Sequence, residues 1–240
     1  MRILIATGGS SQAEIALRFG AQLVRRTQET PTLLTVIGRE AERPWANAIL
    51  ARSVEPLKAA VPRVETKVRI GHPADEIVSE AEEGGFDLVI VGERQSPDLV
   101  TRFLLGSTAV RVVEHAPGPV IIGKGKIDAI NRILLCDSGI ESPSLTSRFS
   151  AQLPGLIKDN EKITILHVMS QISARPGGRG RQLQAGAEEL IELHAPEGEV
   201  LERDLQILKQ LNLHPRPKVR HGLVAVSYTH LTLPTNRVAG

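Results

Sequence analysis

Residues Asp87 to Ile122 read DLVIVGERQSPDLVTRFLLGSTAVRVVEHAPGPVII, and the fold follows from how this stretch is parsed. Asp87 to Val91 carries an apolar run rich in Val and Ile, which suits a strand buried on both faces of a parallel sheet. Gly92 ends it and a polar loop follows. From Gly106-Ser107 onward, Ala109, Val112 and Val113 recur on one face of a helix, which His115-Ala116-Pro117 stops. Val120-Ile121-Ile122 is a second buried strand. The unit is therefore strand, loop, helix, strand, with the loop at the carboxyl end of the first strand. That is the end at which open α/β sheets bind ligands. Backbone N–H groups at a glycine-led helix start also favour anions such as phosphate.

Upstream, the same alternation repeats. Ile3 to Ala6 is a first strand and Thr7-Gly8-Gly9-Ser10-Ser11 a tight polar turn. Ser11 and Glu14 have capping-box spacing, and Ile15, Phe19 and Leu23 recur every four residues, predicting an amphipathic helix. Thr32 to Ile37 is a second strand. Pro44 introduces a helix carrying Trp45, Ala48, Ile49 and Arg52. Val64 to Ile70 alternates as an exposed edge strand would, and Gly71-His72-Pro73 leads into a helix with Ile77, Val78 and Ala81. Strictly alternating β and α segments predict an open, parallel, five-stranded sheet with helices on both faces and right-handed crossovers.

After Gly123 to Ala129 the pattern starts again, an internal repeat. Ile133 to Cys136 matches the first strand, Ser138-Gly139 its turn, Thr164 to Val168 the second strand, and Val219-Arg220-His221-Gly222 matches Val68-Arg69-Ile70-Gly71. Strand 1 to strand 2 takes 33 residues in the first copy and 35 in the second; the next interval grows from 35 to 54. The difference covers Ala174 to Gly186, a Gly/Arg-rich segment read as a loop. Helical patterns resume over Ala187 to Leu193 and Val200 to Leu211. Only 18 residues follow Gly222, and Val226 to Asn236 matches nothing in the first copy; it resembles a translated sequencing adapter. The expected organisation is a first domain over 1–125, an incomplete second copy over 130–226, and a non-native tail over 227–240, to be left out of fold reasoning.

The 240 residues are 41% hydrophobic but only 2% aromatic, so Leu, Ile, Val and Ala must fill the core. Net charge is +2, from 29 basic and 27 acidic residues. That balance gives no reason to expect nucleic acid or an anionic membrane as partner, and scarce aromatics argue against base stacking on single strands. Cys136 is the single cysteine, which excludes an intramolecular disulfide and cysteine-built zinc sites. The histidines show no i, i+4 metal pairing. No apolar run approaches the ~20 residues of a membrane span, and the opening Arg2-Ile3-Leu4-Ile5 is too short for a signal-peptide core. A cytoplasmic protein is expected.

The Asp87–Ile122 stretch resembles the nucleotide loop of the universal stress protein family. That motif is G-x2-G-x9-G-[S/T], followed by a helix and an H-A-P/C-P-V strand entry. Gly92, Gly106-Ser107, His115-Ala116-Pro117 and Pro119-Val120 match; Gln95 replaces the second glycine, and the interval to Gly106 is one residue longer. The resemblance implies a Rossmann-like fold of the adenine nucleotide alpha-hydrolase-like type. It implies ATP or another adenine nucleotide as ligand, with Mg²⁺ as companion ion. Adenine would lie against Ala6, Thr7 and Gly8 after strand 1, Val36 on strand 2, and Val91-Gly92 on strand 4, with phosphates on Gly106, Ser107 and Thr108. Gly8 stands where the family often carries Asp. Two readings stay open: a degenerate loop that binds nucleotide, and a nucleotide-free scaffold with the same fold. The resemblance further implies a regulatory stress-response module, non-catalytic or weakly hydrolytic. It would pair through strand 5, Val120-Ile121-Ile122, with another chain or in an intramolecular pseudo-dimer of the two copies.

Other motifs carry less. Gly118 to Lys124 fits G-x4-G-K, but its interior is a strand and Gly125 stands where Ser or Thr should hold Mg²⁺. Lys124 and Lys126 are read as solvating the linker, Arg94 and Arg102 as surface residues flanking the loop, and Glu80, Glu82 and Glu83 as a solvated helix end. His115 fits a helix C-terminus through the dipole. Asp137-Ser138-Gly139 lacks a G-x-S-x-G elbow and reads as a turn, with Asp137 a candidate adenine-side acid of the second copy. A remote alternative is an adenine-nucleotide-using enzyme of the same superfamily. Thr7-Gly8-Gly9-Ser10-Ser11 superficially matches a pyrophosphate loop of the S-G-G-x-D-S type but lacks its aspartate.

Overall fold

The computed structural model describes residues 1–93, 107–125, 130–139, 143–152, 157, 161–169 and 185–222. Gln95, Arg94, Arg102, Gly106, Lys126, most of the Gly/Arg-rich segment and everything after Gly222 lie outside the described residues. The chain divides into two compact units, Met1–Ala129 and Ile130–Gly240.

The first unit runs β1 (Ile3–Ala6), α1 (Ser11–Thr27), β2 (Thr32–Ile37), α2 (Arg43–Lys58), β3 (Glu65–Ile70), α3 (Pro73–Glu83), β4 (Leu88–Gly92), α4 (Ser107–His115) and β5 (Val120–Gly123). Its five strands are all parallel in the order β3-β2-β1-β4-β5. The order reverses direction between β1 and β4, and a crevice opens at that switch point beyond the carboxyl ends of the strands. The central strands β1 and β4 are buried along their length, as their unbroken apolar runs require. β3, at one edge, stays largely exposed and buries no residue fully. On one face Ala74, Ile77 and Ala81 of α3 and Ala109 and Val112 of α4 pack on Leu4, Leu34, Val89 and Val91. α1 and α2 cover the other face.

Four local expectations need correcting. The N-cap of α1 is Ser10, whose Oγ accepts from the Ala13 N–H at 3.2 Å; Glu14 instead pairs with Arg18 at 2.7 Å. The capping hydroxyl falls one residue early because Gly9, at φ +73°, turns the chain there. The buried face of α1 is Ala13, Ala16, Leu17, Gly20, Ala21, Leu23 and Val24: of the three expected residues Leu23 is buried, and Ile15 and Phe19 are only half-buried. Trp45 is 54% exposed while Ala46, Ile49, Leu50, Val54 and Leu57 carry the core face of α2, and Val113 on α4 is 47% exposed. Glu80 is not solvated: it is 2% exposed. Lys67 reaches it at 2.6 Å and Arg69 at 2.9 Å, and Arg69 also holds Glu76 and Glu83. This tie raises the Arg69 guanidinium further above its ordinary range and lowers the Glu83 carboxyl.

α1 approaches the sheet closely because glycine lies under it. Gly92 and Gly123 are paired across β4 and β5. A Cβ at Gly92 would stand 2.5 Å from the Gln12 carbonyl oxygen, and one at Gly123 2.8 Å from the Ala16 Cα. The first turns of α1 therefore rest directly on the ends of these two strands.

The second unit contains β6 (Arg132–Cys136), α5 (Leu145–Gln152), β7 (Lys162–Met169), α6 (Ala187–Glu192), α7 (Pro196–Gln210) and β8 (Arg216–His221). Its strands form a parallel three-stranded sheet, β6-β7-β8. The registers repeat those of the first unit. Leu134 faces Thr164 as Leu4 faces Thr32, and His167 faces Val219 as Thr35 faces Val68. The described strands of the second unit thus follow the order and registers of β1, β2 and β3.

Candidate functional site

A cavity of about 390 Å³ opens at the carboxyl end of the first sheet. It is built by topology. In a parallel sheet every loop that follows a strand emerges at this end, so the turns after β1, β3 and β4 meet there.

The turn after β1 is rigidly held. The Thr7 N–H donates to the Leu34 carbonyl at 2.8 Å, and the Thr35 hydroxyl donates to the Thr7 carbonyl at 3.0 Å. The Gly9 N–H donates to the Thr7 Oγ at 3.3 Å. A side chain at Gly9 would be both left-handed and 2.9 Å from Ile49. Gly8 beside it is different: an added Cβ meets nothing within 4 Å.

Seven of the nine sequence-predicted binding residues line this cavity: Ala6, Thr7, Gly8, Val36, Val91, Gly92 and Thr108. Ser107 opens α4 with an exposed side chain and is not among the lining residues. Gly106 lies outside the described residues. Gly92 has a packing role of its own, since no Cβ fits between it and α1.

The structure adds lining residues that sequence reasoning missed. Ser10, Gln12 and Ala13 come from the first turn of α1; Leu34 from β2; Pro73 and Ile77 from α3; and Glu93 from the residue after β4. The signal for Pro73 was present: Gly71-His72-Pro73 follows the carboxyl end of β3. Leu34, Val36, Ile77 and Val91 give apolar wall, and Thr7, Ser10, Gln12 and Thr108 are the neutral polar residues of the lining. Both suit a flat heteroaromatic ligand with polar substituents.

Glu93 is the one charged lining residue among those described. It is 5% exposed, and the Lys124 ammonium donates to its Oε1 at 2.8 Å. Lys124 is therefore not simply a linker-solvating residue: it neutralises a buried carboxylate at the cavity. Residues 120–123 are strand, so the Gly118–Lys124 string makes no phosphate loop. His115 sits at the end of α4 with Nδ1 2.9 Å from the Arg111 carbonyl, as a helix-terminal residue.

In the second unit the equivalent turn is Asp137-Ser138-Gly139, with Gly139 at φ +76°. Asp137 is buried. One of its oxygens accepts from the Gly139 N–H at 2.7 Å and the other from Arg203 at 3.2 Å. Asp204 lies beside it, fully buried; desolvation first, and the neighbouring Asp137 next, push its carboxyl above the ordinary range. Among the described residues no group of three or more metal-ligating side chains occurs, and no helix is long and apolar enough to cross a membrane.

The chain was compared with known proteins. A model of the universal stress protein family matches residues 1–124. Universal stress protein G of Shigella flexneri is 34% identical over 110 residues, 46% of this chain and 68% of that protein. The crystal structure of a universal stress protein from Archaeoglobus fulgidus DSM 4304 superposes with a TM-score of 0.62 at 16% identity, covering 92% of this chain and 79% of that one, a likeness of fold. A universal stress protein solved in complex with cAMP matches 51% of this chain and 94% of its own at 24% identity, with a TM-score of 0.45. With its five-stranded sheet and a family match over more than half its length, the chain belongs to the universal stress protein family.

Proposed function

We propose that the first unit binds an adenine nucleotide, ATP in the first instance with Mg²⁺ on its phosphates, and acts as a regulatory stress-response module rather than an enzyme. The observation that carries this reading is the 390 Å³ cavity: seven residues named from sequence as a nucleotide site come together in it. Adenine would pack on the apolar wall of Leu34, Val36, Ile77 and Val91. The phosphates would be directed to Thr108 at the start of α4, where backbone N–H groups favour anions. Besides apolar groups, the lining side chains among the described residues are hydroxyls, an amide and one carboxylate. Self-association is proposed through β5, a terminal strand of the sheet whose Val120, Ile121 and Ile122 are half-buried.

One observation favours the second reading, a nucleotide-free scaffold of the same fold: the cavity's one described charge is negative, and Gly8 offers no side chain. Titrating the full chain with Mg-ATP by calorimetry, and assaying phosphate and ADP release on the same sample, separates the possibilities. Stoichiometric binding without product is expected. Turnover would favour an enzyme, and no heat at millimolar ATP would favour the scaffold.

A further inference from the structure

We propose that Glu93 sets ligand choice at this site by accepting a hydrogen bond from a ribose hydroxyl, with Lys124 holding the carboxylate in position. The proposal rests on the nucleotide reading above. Glu93 is the residue immediately beyond β4, and its N–H donates to the Gly123 carbonyl at 3.1 Å, which extends the β4–β5 ladder and fixes its backbone. Its side chain is 94% buried and lines the cavity. Lys124 occupies Oε1. Oε2 receives no hydrogen bond from the described residues.

An ionised carboxylate only accepts hydrogen bonds. Its complement must be a donor, and a phosphate oxygen beside it would be repelled. In a nucleotide the strongest flexible donors are the 2′ and 3′ hydroxyls, and an acid at the end of a strand serves the ribose in other doubly wound sheets. The lysine has a defined part in this. It offsets the cost of burying the charge, and by engaging one oxygen it leaves the other oriented for ligand.

The test is calorimetric titration of the full chain with ATP, 2′-deoxy-ATP and 3′-deoxy-ATP, in the wild type, Glu93→Ala, Glu93→Gln and Lys124→Met. In the wild type, removing the accepted hydroxyl should weaken binding by about 10- to 100-fold, the range for a charge-assisted hydrogen bond. That ratio should collapse toward unity in Glu93→Ala and fall to an intermediate value in Glu93→Gln. A purely structural role would lower all three affinities together and leave the ratio unchanged. Should Glu93→Ala not fold, the isosteric Glu93→Gln carries the test. An unchanged ratio in folded Glu93 variants overturns the assignment while leaving nucleotide binding intact, as does a Glu93 effect confined to Mg²⁺ dependence. A wild type that binds none of the three overturns the nucleotide reading and this assignment with it.

Discussion

Gly92 carries two explanations, a motif glycine for a ligand and a packing glycine for α1, and Gly92→Ala separates them. An alanine Cβ there would stand 2.5 Å from the Gln12 carbonyl oxygen and 2.9 Å from the Ala13 nitrogen. Both are backbone atoms in the first turn of a 17-residue helix, so no rotamer change relieves the clash. Ordinary contact at 3.4 Å requires α1 and β4 to separate by about 0.9 Å. Overpacking of this kind costs about 1–3 kcal/mol, and the stiffer unfolded chain returns about 0.4–1 kcal/mol. A net loss of roughly 2 kcal/mol should lower the melting temperature of the first unit by about 8 °C for a unit of this size. Thermal unfolding of the full chain followed by circular dichroism, without nucleotide, measures it. Gly8→Ala is the control: its Cβ meets nothing within 4 Å, so its effect should stay within about 0.5 kcal/mol. Gly123→Ala should destabilise as well, and the double variant should cost less than the sum because both lift the same turns of α1. A Gly92→Ala chain that melts with the wild type but fails to bind ATP would refute the packing argument and return Gly92 to the ligand alone.

Three further outcomes are expected. Gly8→Asp, placed in open space at the cavity, should leave the melting temperature unchanged and strengthen Mg-ATP binding, read by calorimetry; weaker binding would mean that Glu93 already supplies more negative charge than the ligand tolerates. Arg69→Met leaves the buried Glu80 with Lys67 alone and should cost about 3 kcal/mol, the low end for breaking a buried pair, read as a shift in urea midpoint. Asp204 keeps its proton in the folded state above the pH at which the unfolded chain, with an ordinary value near 3.8, gives it up. The stability of the second unit should therefore fall as pH rises from about 4 through the raised value, and Asp204→Asn should flatten that slope.

The strands were legible because their chemistry is unambiguous. Runs such as Ile3–Ala6, Thr32–Ile37 and Leu88–Val91 have no other way to bury Val and Ile at that length, and β3 showed its edge position by alternation. What was not legible depends on close approach and on pairing. Reading α1 by its large residues found Leu23 but also picked Ile15 and Phe19, whereas at the ends of β4 and β5 the helix buries the small residues Ala13 and Ala16, because Gly92 and Gly123 let it sit down there. Glu80 looked like one of a run of solvated acids; only the strand register, which puts Lys67 and Arg69 on the edge strand beneath α3, makes its burial tolerable. Glu93 was hidden for the same reason. Its partner, Lys124, is 31 residues away, brought alongside by the β4–β5 ladder.

The two copies share a backbone solution more faithfully than a chemistry, which places the ligand question in the first unit. The turn after β1 and the turn after β6 superimpose in logic. Thr7 and Asp137 each bond through the backbone N–H to the neighbouring strand, to Leu34 at 2.8 Å and Leu166 at 3.3 Å. Each accepts through its side chain from a left-handed glycine two residues on, Gly9 or Gly139. Each backbone carbonyl meets a side chain of the next strand, Thr35 or His167. Beyond the turn they diverge. Thr7 has no charge to neutralise, and its neighbours leave a cavity. Asp137 is buried, and α7 supplies Arg203 to meet its charge, with the buried Asp204 beside it. An acid already bonded through both oxygens has little left to offer an adenine ring, so the adenine-side role expected of Asp137 is filled by an internal pair. Replacing it should therefore register as lost stability of the second unit. Asp137→Asn keeps the Gly139 bond but removes the charge that holds Arg203, and its effect on the urea midpoint should not add to that of Asp204→Asn, because Arg203 pairs with both acids. Full additivity of the two substitutions would show that the acids are not coupled through Arg203, and the account of the second turn would fall.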